Sequence, residues 1–312
     1  MKRTTTASSP GKFILLGEHA VVYGKPAVAL AIDRRFRCKV TRSNGNYLNG
    51  MPIDLERHPH IAHILARNNV SNVEIETDSD IPSSSGLGSS GALGSAFSAA
   101  LKSLAGETID RTVIAEEAFS AEYFAQGRAS PMDTACCTFG KGVALNCPEG
   151  YGNDLMTAER NGNSWKISEI PVPKMTFVVG YTGIKAPTGP LVEKVRKYKE
   201  HNGFASDIID EIGDITIEGM GAVRDNDVVK LGKMMTQNHK LLSILGVSCN
   251  ELNKLVNAAE RYSYGAKLTG SGGGGSMIAL TDQPEKVCEA IFLHGGLPFT
   301  VRTGAEGVTI EE

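Results

Sequence analysis

The residues best placed to do chemistry lie in three glycine-rich segments. The most informative is Pro82-Ser83-Ser84-Ser85-Gly86-Leu87-Gly88-Ser89-Ser90-Gly91, which runs on into Ala92-Leu93-Gly94-Ser95-Ala96. A strand, a glycine loop and a helix start, in that order, aim several backbone N–H groups at an anion. The helix dipole adds positive potential at the same point. Glycines let the backbone approach phosphate oxygens, while serine hydroxyls add donors or a metal ligand. The competing reading is a tight turn into a helix that packs closely through Gly and Ala. Gly86, Gly88 and Gly91 also fit the dinucleotide fingerprint, but the nearby acids Glu107 and Asp110 open a helix instead of ending a second strand. No G-x-x-x-x-G-K-[ST] run occurs, and the triplets His-Arg-Asp and Asp-Phe-Gly are absent. A Walker loop and the protein-kinase catalytic set are thereby excluded.

The second segment, Ser9 to Gly24, places Lys12, Glu18 and His19 around the apolar run Phe13–Leu16 in an extended stretch punctuated by turns at Gly17 and Gly24. A lone lysine beside a strand is usually a solvated charge; one next to Glu18-His19 between two glycine turns is more informative. The third segment is Lys267-Leu268-Thr269-Gly270-Ser271-Gly272-Gly273-Gly274-Gly275-Ser276. Four consecutive glycines suggest a flexible linker. This run, however, leads straight into the apolar strand Met277–Leu280, as a linker should not.

The elements that must position these segments read as follows. Strands are expected at Phe13–Leu16, Ala27–Ile32, Phe36–Thr41 and Val73–Thr77, and helices at Asp54–Asn68, Ser89–Leu104 and Asp110–Ala125, the last ended by Gly127. Gly150–Asn163 reads as a surface turn, and Pro171-Val172-Pro173 punctuates the chain before a strand at Met175–Tyr181. The boundary set there divides the chain into residues 1–170 and 171–312. Helices follow near Leu191–Glu200, Ser206–Val223, Asp227–Leu245 and Cys249–Tyr262. The strand Ser276–Thr281, the helix Pro284–Leu293 and the strand Phe299–Thr303 close the chain. Alternating elements with helices clustered late fit a two-domain α/β then α+β protein.

Composition narrows the class further. Of 312 residues 41% are apolar and 21% charged, with a net charge of −3, so neither wholesale disorder nor a basic surface for nucleic acid or anionic lipid is expected. Glycine, at 35 residues, is in excess. The six cysteines show no C-x-x-C spacing and no disulfide-scaffold density, and read as reduced thiols of a cytosolic protein. Met1-Lys2-Arg3 has no apolar stretch behind it, so no secretory leader is read there. The longest charge-free stretch, Ile81 to Leu101, is dominated by Ser and Gly, unlike a membrane span. A soluble, cytoplasmic small-molecule enzyme is expected.

Taken in order, Pro-Gly-Lys-(x)4-Gly-Glu-His-Ala-Val-Val-Tyr-Gly, Pro-Ser-Ser-Ser-Gly-Leu-Gly-Ser-Ser and Lys-Leu-Thr-Gly-Ser-Gly-Gly-Gly-Gly resemble the three motifs of the GHMP kinases over nearly the whole chain. The first motif is most similar to the mevalonate kinase branch of that family. The resemblance implies the α+β, two-domain GHMP kinase fold. Its N-terminal domain carries the phosphate loop, and its C-terminal domain is ferredoxin-like with the third motif. The implied activity is ATP-dependent phosphorylation of the primary hydroxyl of mevalonate, a step of isoprenoid biosynthesis, with ATP and Mg2+ as cofactors. No nucleic acid or membrane partner is implied, and a homodimer is left open.

By the same resemblance, residues 82–91 cradle the ATP phosphates, while Ser90 and Glu122 hold Mg2+. Asp133, eleven residues after Glu122, accepts or orients the hydroxyl proton, and Lys12 stabilises the developing charge. Taken singly, Glu122 reads as a solvated helix face and Asp133 as a helix cap. Glu18, His19 and Thr188 position the substrate. Ala186-Pro187 stands where the family often has Arg-Ser, so Lys185 is assigned, with His19, to the substrate carboxylate. The alternatives are another small-molecule kinase of the family, acting on phosphomevalonate or homoserine, or a nucleotide-binding sensor without turnover. Separately, His58, His60 and His63 have metal-like spacing, but no acid or cysteine partner is obvious in the sequence, and an ordinary amphipathic helix is the preferred reading.

Overall fold

A computed structural model describes residues 3–54, 56–82, 85–127, 129–185 and 188–311. Ser83 and Ser84 of the phosphate loop, and Ala186-Pro187, lie outside the described residues.

The first sheet is built on one long antiparallel pair, β1 (Thr4–Leu16) and β2 (Ala27–Arg42). Around it lie β3 (Tyr47–Leu48), β4 (Met51–Pro52), β5 (Val73–Ser79), β6 (Gly142–Leu145), β7 (Asn153–Arg160) and β8 (Asn163–Ile170), in the order β4-β3-β5-β2-β6-β8-β7. The two strands expected at Ala27–Ile32 and Phe36–Thr41 are one continuous strand. The polar stretch Asp33-Arg34 between them falls at a shift of register, and the pairing with β1 holds on either side of it, with Ala31 opposite Lys12 and Arg35 opposite Pro10. Local pattern reading breaks a strand where apolar alternation lapses, whereas the ladder does not. Likewise β7 occupies much of the segment read as a surface turn at Gly150–Asn163. It is an edge strand with largely exposed side chains, and so carries little apolar signal.

Helices α1 (Pro59–Arg67), α2 (Ser89–Ala105), α3 (Arg111–Gln126) and α4 (Met132–Phe139) accompany this sheet, with α2 packed on β1 and β2 and flanked by α3 and α4. α2 is small-residue-rich because it is buried nearly all round, and Ala96, Ala99 and Ala100 sit in the core. α3 starts where expected: the Asp110 side chain accepts from Thr112 N at 2.8 Å, satisfying one orphan donor of the first turn.

The second sheet comprises β9 (Thr176–Tyr181), β10 (Gly265–Thr269), β11 (Ser276–Leu280) and β12 (Leu297–Arg302) in the order β10-β11-β9-β12. Helices α5 (Thr188–His201), α6 (Gly203–Arg224), α7 (Val228–Ile244) and α8 (Asn250–Glu260) fall between β9 and β10, and α9 (Pro284–Leu293) between β11 and β12. That strand order, with helices in those two connections, is the ferredoxin-like arrangement. The last strand, β13 (Thr309–Glu311), returns to the first sheet and pairs with β1. One apolar cluster spans both sheets. Phe13, Leu15 and Leu30 meet Phe177, Val179 and Ile278 there, and the Phe13 and Phe177 rings lie 4.8 Å apart. No helix among the described residues is long and apolar enough to cross a membrane, and all six cysteines are free thiols.

Candidate active site

The site begins with an irregularity in β1. Its pairing with β2 shifts register between Pro10 and Lys12, as expected where a proline lacks a ladder donor and a glycine follows. The shift frees Lys12 N to donate to Leu87 O at 2.9 Å, and the side chain runs inward beneath the glycine loop. Lys12 is only 2% exposed. Its ammonium lies 2.9 Å from Asp133 Oδ1 and donates to Gly86 O at 3.3 Å. Burial pulls this ammonium toward deprotonation, but the charge and hydrogen bond of Asp133 outweigh it and hold the group above the ordinary lysine value. Lys12 therefore stays cationic at neutral pH. Gly88 has to be a glycine here: its φ is +74°, and a Cβ would lie 2.8 Å from Lys12 Cε.

Asp133 stands in the first turn of α4, where an acid is favoured by the helix dipole. The N-terminus of α2 abuts it, since a Cβ on Gly91 would lie 3.1 Å from the Asp133 carbonyl carbon. Two helix N-termini thus converge beside the Lys12 ammonium. Gly88 caps α2 without a side-chain hydrogen bond, so the first-turn N–H groups have no side chain competing for them. Ser90 Oγ, on that turn, donates to Glu122 Oε1 at 3.1 Å. Glu122 is only 5% exposed on α3, so it is not on a solvated helix face. Gln126 also bonds Oε1, and His60 Nε2 lies 2.8 Å from Oε2.

Glu18 and His19 turn toward the third segment. That segment is a hairpin loop joining β10 to β11, and it is anchored, unlike a linker. Gly273 N donates to Val247 O and Gly275 N to Ile184 O, both at 2.8 Å, and Ser276 Oγ donates to Ser85 O at 2.7 Å. The Glu18 side chain is 1% exposed and pairs with the fully buried Lys267 ammonium, which also donates to Leu268 O. Glu18 Oε2 has no hydrogen-bond partner among the described residues. One oxygen of a carboxylate expected to face substrate is therefore committed to Lys267. Burial raises the Glu18 carboxyl above the ordinary range against the opposing pull of Lys267, and lowers Lys267 against the pull of Glu18.

His19 holds φ +61° and ψ −41°, a conformation that costs a non-glycine residue about 1–3 kcal/mol. Its Nε2 lies 2.9 Å from Ser271 O, and since a carbonyl only accepts, Nε2 carries the hydrogen. Burial lowers the imidazole below the ordinary histidine value, against the Ser271 bond. The ring is therefore neutral at pH 7 and offers Nδ1 as an acceptor. It cannot supply the positive charge expected of it for a substrate carboxylate. Lys185 is exposed in the segment between β9 and α5, next to Ile184, which packs on the glycine hairpin; Thr188 is the first residue of α5.

The sequence singled out the segment that holds Lys267 and Ser271 without giving either a partner, set His60 aside as part of an ordinary helix, and did not mark Gln126. Gln126, four residues after Glu122 on one helix, carried a local signal for its pairing; the partners of His60, Lys267 and Ser271 are distant in the chain. The metal-like histidines divide their contacts. His58 Nδ1 lies 3.0 Å from Asp54 O, His63 Nε2 lies 2.9 Å from Ser120 Oγ, and His60 reaches Glu122. Among the described residues no three His, Cys, Asp or Glu side chains gather to hold a metal. The oxygen pair Ser90–Glu122 is the arrangement that bears on a cation.

The profile of the GHMP kinases N terminal domain matches residues 56–141, and that of the GHMP kinases C terminal domain matches residues 220–295. A mevalonate kinase of Pyrococcus furiosus is 32% identical over 98% of both chains. One of Archaeoglobus fulgidus is 33% identical over 98% of this chain and 99% of its own. Among solved structures, L. major mevalonate kinase in complex with R-mevalonate superposes with a TM-score of 0.83 at 25% identity, covering 98% of both chains.

Proposed function

This chain belongs to the GHMP kinase family, and from that premise we propose that it transfers the γ-phosphoryl group of ATP to the primary hydroxyl of mevalonate, giving 5-phosphomevalonate and ADP. Its similarity to mevalonate kinases over nearly its full length supports the substrate. The observation that carries the chemistry is the Lys12–Asp133 contact set where the N-termini of α2 and α4 meet.

Phosphoryl transfer requires little covalent help from a protein but much positioning and charge neutralisation. The ATP phosphates lie against the N–H groups of the glycine loop and of the first turn of α2. Asp133 takes the proton of the acceptor hydroxyl as its oxygen bonds to the γ-phosphorus and the bond to the β-bridging oxygen breaks. Lys12, held cationic, neutralises charge on the oxygens around that phosphorus.

Ser90 and Glu122 fit a hard divalent cation. Both donors are oxygens, and because Ser90 gives its hydrogen to Glu122 the hydroxyl lone pairs stay available. Mg2+ bound there supplies neutralisation of the β- and γ-phosphate charge. Glu122→Gln should therefore raise the Mg2+ concentration needed for half-maximal rate; an unmoved Mg2+ dependence would assign Glu122 a structural role only.

The mevalonate carboxylate needs a cation distant from the γ-phosphate, and with His19 neutral that task falls to Lys185. His19 Nδ1 and Thr188 serve as uncharged partners. Loss of a charge-assisted hydrogen bond costs about 1.5–3 kcal/mol, so Lys185→Met should raise KM for mevalonate on the order of 10–150-fold. KM for ATP should be nearly unchanged. If the mevalonate KM stays put, Lys185 is outside the substrate site.

The function itself is tested by ADP release over a panel of alcohols. Turnover is expected with mevalonate and not with galactose, homoserine or phosphomevalonate. Robust turnover of one of these, with none on mevalonate, overturns the reading.

A further inference from the structure

We propose that His60 is a positioning residue for the cation site: it orients the Glu122 carboxylate so that one oxygen face is left for a divalent metal. The inference rests on the reading of Glu122 as a cation ligand and goes beyond it, to the neighbour that makes the ligand competent.

The geometry places donors from three helices on a single buried carboxylate. His60 on α1 reaches Oε2 at 2.8 Å, Ser90 on α2 reaches Oε1 at 3.1 Å, and Gln126 on α3 reaches Oε1 as well. An ionised carboxylate has about four lone-pair sites. Among the described residues three donors are in place, two on Oε1 and one on Oε2, which leaves one direction, on Oε2. Without His60, Oε2 loses its fixed partner, and the terminal bond of Glu122, a soft two-fold torsion, is restrained only from the Oε1 side by Ser90 and Gln126. An imidazole N–H aligns a carboxylate without the permanent positive charge that a lysine would bring into competition with the metal.

Neighbouring contacts hold α1 in place apart from His60. His63 stacks on Phe124 with ring centroids 4.8 Å apart and bonds Ser120, while Asn68 donates to Glu117. The helix therefore has other anchors to α3, and the His60–Glu122 bond is separable from helix docking. Partners that align a metal ligand typically contribute 10–100-fold in metal affinity when removed.

The test reads metal affinity without turnover. A fluorescent ADP analogue is bound to the full chain while Mg2+ is titrated, and the Mg2+ midpoint is compared across variants. His60→Leu should move the midpoint up by about 10–100-fold. His60→Gln, which retains an N–H donor of similar reach, should recover most of that shift. His63→Ala should lower the unfolding midpoint and leave the Mg2+ midpoint in place. Glu122→Gln serves as the reference. If it shifts the midpoint and His60→Leu does not, the positioning role is overturned while the cation reading survives; if neither shifts, both fall. A glutamine variant as impaired as the leucine variant also overturns orientation through the donor. Should His60→Leu not fold, 15N histidine spectra of the wild type decide. The His60 Nε2 signal should respond to Mg2+ added on top of bound ADP analogue, and its silence rejects the proposal.

Discussion

Asp133→Asn is expected to lower kcat by about 10²–10⁴-fold, the usual contribution of a general base, while nucleotide binding persists. The amide keeps the shape of the side chain but cannot take the hydroxyl proton. A second consequence follows from burial. The Lys12 ammonium, 2% exposed, is held above the ordinary lysine value chiefly by Asp133, against a burial effect that works to lower it. With the counter-charge removed, Lys12 should titrate at lower pH, and the variant should lose stability as well as rate. Three measurements separate these effects: the unfolding midpoint in urea, the affinity for an ADP analogue, and single-turnover phosphoryl transfer. A folded, nucleotide-binding variant with near-wild-type single-turnover rate would remove Asp133 from the chemistry.

Lys267→Met should destabilise the fold by about 3–5 kcal/mol, because it strands the Glu18 carboxylate in the interior with neither oxygen paired. The double variant Lys267→Met with Glu18→Gln should recover part of that loss, since a buried amide is cheaper to leave under-bonded than a buried charge. The pH dependence has a definite sign. Glu18 already lies above the ordinary carboxyl value, and losing Lys267 raises it further. A group raised in the folded state contributes most below its unfolded pKa, and that contribution is lost as pH rises through its folded pKa. The single variant should therefore come closest to wild type in acid and fall further behind as pH increases. A deficit independent of pH, or absent, would mean that the pair is not coupled to folding as its burial indicates.

The pair also has a geometric consequence. Lys267 belongs to the strand that opens the glycine hairpin, and Glu18 precedes His19, whose ring bonds Ser271 within that hairpin. The first and third segments, some 250 positions apart in the chain, are thus fastened by an ion pair and a hydrogen bond. Thr269 adds two further bonds, donating to Ile14 O at 2.9 Å and accepting from Ile14 N at 3.0 Å.

The sequence alone determined what is local or periodic. The glycine loop that opens α2 was legible because glycine adopts the left-handed turns at Gly86 and Gly88 without steric cost, and a small-residue run marks a helix packed on all sides. The cap at Asp110 and the stop at Gly127 could be read for the same reason: the donor and acceptor groups lie within a few residues of each other. Helix α4 was not legible, because its eight residues, MDTACCTF, are almost wholly buried and show no amphipathic stripe. β6 and β10 are short and fully buried, so they have no alternation to read, and β13 exists as a strand through its pairing with β1, some 300 positions earlier. Side-chain partnerships followed the same division. Lys12 stood out by its setting between glycine turns, and Glu122 and Asp133 only through the family resemblance, but which charge meets which was settled by tertiary packing. Lys12 meets Asp133 through a register shift in β1; Glu18 meets Lys267 through docking of the second sheet; and His60 meets Glu122 through the seating of α1 on α3. Ionisation followed last of all, because burial and a neighbouring charge, which oppose each other at Lys12, Glu18 and Lys267, exist only once the chain has closed around them.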